Sequence, residues 1–90
     1  MPENSEETIT LAGDLHARPA GALSVAAAQF AATVHVAVGD SQADAKSVLA
    51  VMQLGASSGQ QVTVRAVGPD AEKAVETLIG ILSTVSMVGD

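Results

Sequence analysis

A histidine, an arginine and a proline lie within four consecutive residues of this 90-residue chain, in the stretch GDLHARPAGAL at residues 13–23. A free imidazole is largely neutral at cellular pH, so a histidine at position 16 can attack phosphorus without a separate general base. The guanidinium of Arg18 has a fixed charge and a fork of donors that suits phosphoryl oxygens. The pair therefore indicates a group that takes up a phosphoryl and holds it.

The same stretch marks a turn that changes into a helix. In the first turn of a helix the N–H groups lack intrahelical partners and the dipole is positive, so Ala17 and Arg18 offer a backbone site for an anion. Pro19 lies in that turn, where its missing N–H costs no intrahelical bond and its fixed φ stiffens the backbone. A phosphorus–nitrogen bond is labile, and the sequence shows no hydrolytic machinery, so these features indicate a relay.

Simpler interpretations of these residues stay open at this point. A histidine near a helix start is most often a cap or a surface residue. A metal site would need more ligands than His16 and Asp14 supply, and we predict no metal and no cofactor. His35 lies opposite the valine face of its strand, and we assign it no role.

Length and composition predict a single domain over residues 1–90, with residues 1–7 as a flexible amino terminus. The chain has no cysteine and begins with an acidic stretch that lacks the pattern of a secretory signal, so we expect a cytoplasmic protein. The apolar run Ala20 to Val38 is interrupted by polar residues and falls short of a membrane span. No heptad seam is visible, and we expect a monomer.

Charge and aromatic content argue against one class of partner. The formal net charge is −6, which repels a phosphate backbone. Phe30 is the single aromatic residue, so there is no stacking platform for bases. We therefore expect no binding to nucleic acid.

Periodicity predicts seven elements in the order β-α-β-β-α-β-α. Residues that alternate in polarity predict strands near 8–11, 34–38, 42–45 and 62–66. Apolar residues at helical spacing predict a first helix from Ala17, a short second helix capped by Ser47 and ended by Gly55, and a long third helix after Asp70. Strands of this kind bury one face only. We predict an α+β fold, a two-layer open-faced sandwich in which three helices cover one face of a four-stranded antiparallel sheet.

Three motifs together resemble a known family. LHARPA (Leu15 to Ala20), AKSVLAVMQLG (Ala45 to Gly55) and GPDAEKAVETL (Gly68 to Leu78) are similar to HPr, the histidine-containing phosphocarrier family of the bacterial sugar phosphotransferase system. The resemblance covers residues 8 to 85. It implies that His16 is the phosphoryl acceptor through its Nδ1 atom and that Arg18 stabilises the phosphoryl. It also implies a carrier that is not itself an enzyme, with enzyme I as donor and enzyme IIA proteins or domains as acceptors.

The second motif matches a regulatory and docking region of that family. Ser47 corresponds to a serine that a dedicated HPr kinase phosphorylates in some bacteria, although the residue type alone predicts a helix cap. Val48, Leu49 and Met52 correspond to apolar residues that the family exposes for partners. A short helix cannot bury such a wide apolar arc against one sheet, so we assign only Val51 to the core.

Two departures from the family concern charge. Asp14 stands where the family often has glycine; an inward carboxylate would disfavour phosphorylation, whereas an outward one is a turn residue. The family's supporting basic residues on the first helix are missing, so docking should rest more on apolar contact and Arg18.

The resemblance leaves several functions open. The leading hypothesis is a general phosphocarrier in sugar uptake. A nitrogen-related branch or a dihydroxyacetone kinase relay would use the same chemistry. A regulatory adaptor that binds transcriptional regulators or enzymes through the Ser47 face is a different class, although such an adaptor would not need the His16 nucleophile.

Overall fold

The computed structural model describes residues 3–85, and its seven elements follow the predicted order. The strands are β1 (Asn4–Thr10), β2 (Thr33–Val38), β3 (Ser41–Asp44) and β4 (Gln61–Val67). The helices are α1 (Ala17–Ala27), α2 (Val48–Gln53) and α3 (Ala71–Leu82).

The four strands form one sheet in the spatial order β1-β4-β2-β3, and every neighbouring pair is antiparallel. Alternation explains which face the helices cover, since Val34 and Val36 on β2 and Val62 and Val64 on β4 are fully buried. The residues between them point to the other face. The predicted open-faced α+β sandwich is confirmed.

The helices complete the core through stripes at helical spacing. Leu23 of α1 and Leu78 of α3 are fully buried, and burying each such side chain contributes about 1.5–3 kcal/mol. Five residues of α3 are buried, namely Ala71, Ala74, Val75, Leu78 and Leu82, while Ile79, which helical spacing also predicts for this stripe, is half-buried. α2 is short and buries only Val51, as predicted.

Glycines with positive φ close two turns of the chain. Gly39 and Asp40 form the two-residue connection between β2 and β3. Gly39 has a positive φ of 58, and Asp40 does not have a positive φ. A type II′ hairpin turn requires this combination, with positive φ at its first central residue only. Gly55 has φ 63 just after α2, a conformation that favours glycine beyond a helix end.

The first strand begins earlier than its apolar pattern suggests, which corrects the expected flexible terminus for residues 4–7. These residues pair with residues 64–67 of β4. The pairing uses backbone groups, and the Glu6 carboxylate accepts a hydrogen bond from Arg65 Nε at 2.8 Å. A strand held in this way needs little apolar content, so alternation finds only its second half.

Candidate functional site

His16 is the residue at which the β1–α1 connection becomes a helix. Its backbone is extended, with φ −96 and ψ −165, and its carbonyl accepts the first helical bond from Ala20 N at 3.0 Å. The His16 side chain is exposed and makes no capping hydrogen bond to the helix. The imidazole is therefore accessible to another protein at the mouth of α1, as the relay hypothesis requires.

The sequence of the first turn shapes the backbone beside this imidazole. Ala17, Arg18 and Pro19 are its first three helical residues, and proline contributes no N–H. Ala17 and Arg18 therefore carry the first-turn donors that have no carbonyl partner within the helix. Pro19 is buried against the domain, whereas Ala17 and Arg18 are exposed. The structure thus brings together the backbone donors that the sequence predicts.

Arg18 lies at a shallow cleft between α1 and the end of α3. The cleft is lined by Arg18, Pro19, Ala22, Ile81, Thr84 and Val85. Arg18 is exposed and follows His16 by two residues, and its long, flexible side chain can carry the guanidinium toward an incoming phosphoryl oxygen. Its predicted role in stabilising the phosphoryl stays a prediction.

The loop after α2 supports the turn that precedes His16, and the sequence did not predict this contact. Leu15 N donates to Ala56 O at 2.9 Å, and Leu11 N donates to Gln60 O at 2.9 Å. The stretch ASSGQ is recognisable as a loop from its composition, but a composition does not say against which segment a loop packs.

Asp14 points to this loop, which answers the question that its charge raised. Its Oδ1 accepts a hydrogen bond from Ser58 N at 2.9 Å. The carboxylate therefore has a specific backbone partner and is more than a solvated turn residue.

Ser47 caps α2, as the residue type predicts. Its backbone is extended, and its Oγ accepts a hydrogen bond from Ala50 N at 3.2 Å. Two bonds fix the preceding residue, since Lys46 O accepts from Ser24 Oγ at 2.8 Å and Lys46 Nζ donates to Phe30 O at 2.9 Å. These contacts attach the start of α2 to Ser24 of α1 and to Phe30 in the turn that follows α1.

The predicted interface residues form an apolar exposed surface on α2. Val48 is 38% exposed, Leu49 67% and Met52 41%, while their neighbour Val51 is fully buried. Sequence reasoning missed Val25 of α1, which is 66% exposed. Its signal was present, because Val25 falls seven residues after Arg18 and therefore on the same solvent-facing side of α1.

Charge is distributed unevenly around this surface. α1 and α2 contain one charged residue between them, Arg18, although the whole chain has ten acidic residues. A partner that approaches these helices meets apolar side chains and one guanidinium. Its association should therefore depend more on apolar contact than on long-range attraction.

Asp70 stands at the start of α3 but serves another segment. Its two carboxylate oxygens accept hydrogen bonds from Ala31 N at 2.9 Å and Ala32 N at 2.8 Å, and it makes no side-chain cap to α3. These bonds, the one from Ala31 first, lower the pKa of Asp70, and the positive charge of Lys46 acts in the same direction. The contact secures the connection between α1 and β2 at the end of α1 away from His16.

Two other kinds of feature are absent from residues 3–85. Among residues 3–85, no three or more His, Cys, Asp or Glu side chains are grouped so that they could hold a metal ion. In the same part of the chain, no helix has the length and apolar character that crossing a bilayer requires.

Comparison with known sequences points to one family. The family described as "PTS HPr component phosphorylation site" matches residues 4–84. A phosphocarrier protein HPr of Vibrio cholerae is 38% identical over 74 residues, which cover 82% of this chain and 87% of that protein. A multiphosphoryl transfer protein of Xanthomonas campestris pv. campestris is 37% identical over 86 residues, which cover 96% of this chain but only 10% of that protein.

Comparison with solved structures agrees with the sequence match. The crystal structure of a phosphocarrier protein HPr from Bacillus anthracis superposes with a TM-score of 0.79 at 28% identity, over 91% of this chain and 98% of that one. The two folds therefore share the order of strands and helices.

Proposed function

Since this chain belongs to the HPr family of phosphotransferase-system phosphocarriers, we propose that it accepts a phosphoryl group on Nδ1 of His16 and passes it on. The donor is phospho-enzyme I, charged from phosphoenolpyruvate, and the acceptors are enzyme IIA proteins or domains of sugar transporters. The chain acts as a carrier in the cytoplasm and as a monomer. It does so whether it stands alone or forms one part of a longer phosphoryl transfer protein.

One observation carries the proposal: an exposed imidazole at the N-cap of an α-helix whose first turn includes Arg18 and a proline. In the transfer, the lone pair of Nδ1 forms a bond to phosphorus while the bond from phosphorus to the donor breaks and the donor keeps its electron pair. First-turn N–H groups and the Arg18 guanidinium offset the charge on the phosphoryl oxygens. Because the phosphorus–nitrogen bond is labile, an acceptor protein can then attack phosphorus in the same way and remove the phosphoryl group from Nδ1.

The exposed residues of α2 serve as the docking surface of this carrier. Leu49 and Met52 are three residues apart, so they lie side by side on the helix. Partners that cover Val48, Leu49 and Met52 exclude water around His16, which lies on the adjoining helix. This supports repeated docking of one small surface to several partners.

Ser47 gives the same surface a means of regulation. Phosphorylation by an HPr kinase would add about −1.5 to −2 charge beside Val48 and Leu49. That charge would weaken apolar docking, while the local helix start would tolerate it. The regulatory role is separate from the cap that the Ser47 hydroxyl provides.

The proposal is tested with enzyme I and ³²P-labelled phosphoenolpyruvate. We expect about one label per chain in the wild type, and none in His16→Ala. The matched control is His35→Ala, since His35 is half-buried on the sheet and we assign it no role. Equal labelling of His16→Ala would refute the proposal, and loss of label in His35→Ala as well would show that the assay reports folding.

The same variants separate a carrier from a regulatory adaptor. An adaptor would show no phosphoryl transfer even as the wild type, and it would keep its partner binding in His16→Ala and lose it in Leu49→Glu. A carrier loses transfer in His16→Ala while its docking to enzyme I persists.

A further inference from the structure

The backbone before His16 is attached to a loop more than forty residues away in the chain. We call residues 11–15 the His16 turn and residues 56–60 the support loop. Gly59 N donates to Leu11 O and Leu11 N donates to Gln60 O, both at 2.9 Å. At the other end, Leu15 N donates to Ala56 O at 2.9 Å. These backbone bonds hold the two ends of the turn.

Side chains connect the middle of the two segments. Ser58 N donates to Asp14 Oδ1 at 2.9 Å, and Ser58 Oγ donates to Ala12 O at 3.2 Å. Asp14 thus contributes an ionised acceptor for a backbone donor, which makes a stronger bond than a neutral pair. It is two residues before the acceptor imidazole, so a shift of its backbone changes the direction of His16.

We propose that Asp14 is a positioning residue for phosphoryl transfer, which fixes the His16 turn on the support loop through Ser58 N. The proposal rests on the proposed function of His16. Asp14 does not touch the phosphoryl in this role; it acts through the backbone that places Nδ1. In-line transfer of the phosphoryl from its donor to Nδ1 depends on such placement, because displacing a reacting atom by about 1 Å can lower a rate by about 100-fold.

The support loop also connects the His16 turn to α2, the helix that carries the proposed docking surface. It begins directly after Gly55, and the C-cap of α2 is Leu54. A partner that docks on α2 therefore contacts the helix that leads directly into the segment to which Asp14 is bonded. Asp14 is the side chain of the His16 turn that reaches the backbone of this loop, so its loss should loosen the connection without removing the docking surface.

The negative charge of Asp14 should oppose phosphoryl transfer, whereas its hydrogen bond to Ser58 N should favour it. One substitution separates these two effects. A negative charge near the site disfavours a phosphoryl dianion. Asp14→Asn keeps an oxygen acceptor for Ser58 N and removes the charge. Asp14→Ala removes both. Positioning therefore predicts that Asn rescues transfer where Ala does not.

The test measures phosphoryl transfer from phospho-enzyme I to the full chain by rapid quench, with kcat and KM determined separately. We expect Asp14→Ala to lower kcat by about tenfold while KM changes by less than about twofold. Asp14→Asn should keep kcat within about twofold of the wild type. Asp40→Ala makes the same change of charge in the β2–β3 turn and should behave like the wild type. Ser58→Ala keeps the Ser58 N–H and should retain most of the rate.

A spectroscopic readout accompanies the kinetics. The Ser58 amide proton should shift in Asp14→Ala and much less in Asp14→Asn, with melting temperatures of all variants within about 5 °C. If Asp14→Ala does not fold, Asp14→Gly removes the same acceptor at a turn position that glycine suits.

The outcomes distinguish this proposal from the function on which it rests. A kcat that is unchanged in Asp14→Ala overturns the positioning role while leaving the carrier intact. Equal losses in Asp14→Ala and Asp14→Asn also overturn it, because the oxygen acceptor that Asn keeps for Ser58 N would then not rescue transfer. A wild-type chain that takes no phosphoryl on His16 refutes the proposed function itself.

Discussion

The starts of α1 and α2 are built alike and used differently. His16 and Ser47 are both extended N-caps, and their carbonyls each accept the first helical bond at 3.0 Å, from Ala20 N and Val51 N. At the third helical position the two diverge. Ala50 donates its N–H to the Ser47 hydroxyl, whereas Pro19 has no N–H to give.

Under the proposed function, this difference teaches how one local geometry can serve chemistry in one helix and stability in another. In α2 the cap hydroxyl satisfies a first-turn donor, so the end of the helix is closed. In α1 the proline removes the donor that a cap would use, and the side chain of His16 remains at the surface. We interpret Pro19 as a residue that keeps the position before α1 available for a reactive group.

Removal of the guanidinium gives the largest expected effect on the α1 side of the comparison. Arg18→Ala should lower kcat for transfer by about 10²–10³, the cost of losing one preorganised donor at a developing charge. The kcat of Arg18→Lys should lie between those of the wild type and Arg18→Ala, because an ammonium keeps the positive charge but not the forked arrangement of donors. Rapid-quench kinetics with phospho-enzyme I measures this. If Arg18→Ala transferred phosphoryl as fast as the wild type, the backbone N–H groups alone would be enough to stabilise the charge on the phosphoryl, which would contradict the role given to Arg18.

The α2 side should affect docking instead of chemistry. Leu49→Glu should raise KM by about 30-fold, because central apolar anchors cost about 2 kcal/mol or more when they are lost. The kcat at saturation should change little. Val67→Glu is the matched control, since Val67 is 43% exposed on the sheet face away from the helices. A comparable rise in KM for Val67→Glu would contradict the location of the docking surface.

The two caps should differ in what they contribute to folding. Ser47→Ala should lower the free energy of unfolding by about 1 kcal/mol, since a first-turn donor loses its partner. His16→Ala should cost less than about half of that, because its side chain does not cap α1. Urea unfolding of both variants measures the difference. A larger loss for His16→Ala would show that the histidine is primarily structural.

At the start of α3 the N-cap residue, Asp70, has a third role. Its substitution should have the smallest effect of those considered. The pKa of Asp70 is lowered in the folded state, so its contribution to stability is present above the ordinary value of 3.8 and is lost as the pH falls below it. Asp70→Asn should therefore flatten the fall of stability with pH below about pH 4. Thermal melts against pH test this, with Asp40→Asn as a control that should keep the slope.

The repeating parts of the fold were predictable because their signals are local. The valines of β2 and β4 alternate, and the stripe of α3 recurs at helical spacing, so their elements and buried faces follow from short windows. Residues 4–7 carry no such signal. Their place in β1 depends on backbone pairing with β4, about sixty residues away, which a local pattern cannot contain.

The site was predictable for the same reason and to the same limit. His16, Arg18 and Pro19 are neighbours in sequence, and Ser47 to Met52 form one helix, so motif and spacing identify them. The bonds from Asp14 to Ser58 and from Asp70 to Ala31 and Ala32 join distant segments. Residue type shows that a carboxylate accepts hydrogen bonds, but only the fold decides from which donor.

The most direct measurement is a ³¹P NMR spectrum of the intact chain after reaction with enzyme I and phosphoenolpyruvate. We predict a single resonance of a phosphohistidine substituted on Nδ1, absent in His16→Ala and unchanged in Ser47→Ala. A resonance that survives in His16→Ala, or one that reports phosphate on Nε2 or on a serine, would contradict the assignment of the α1 start as the place where the phosphoryl is carried.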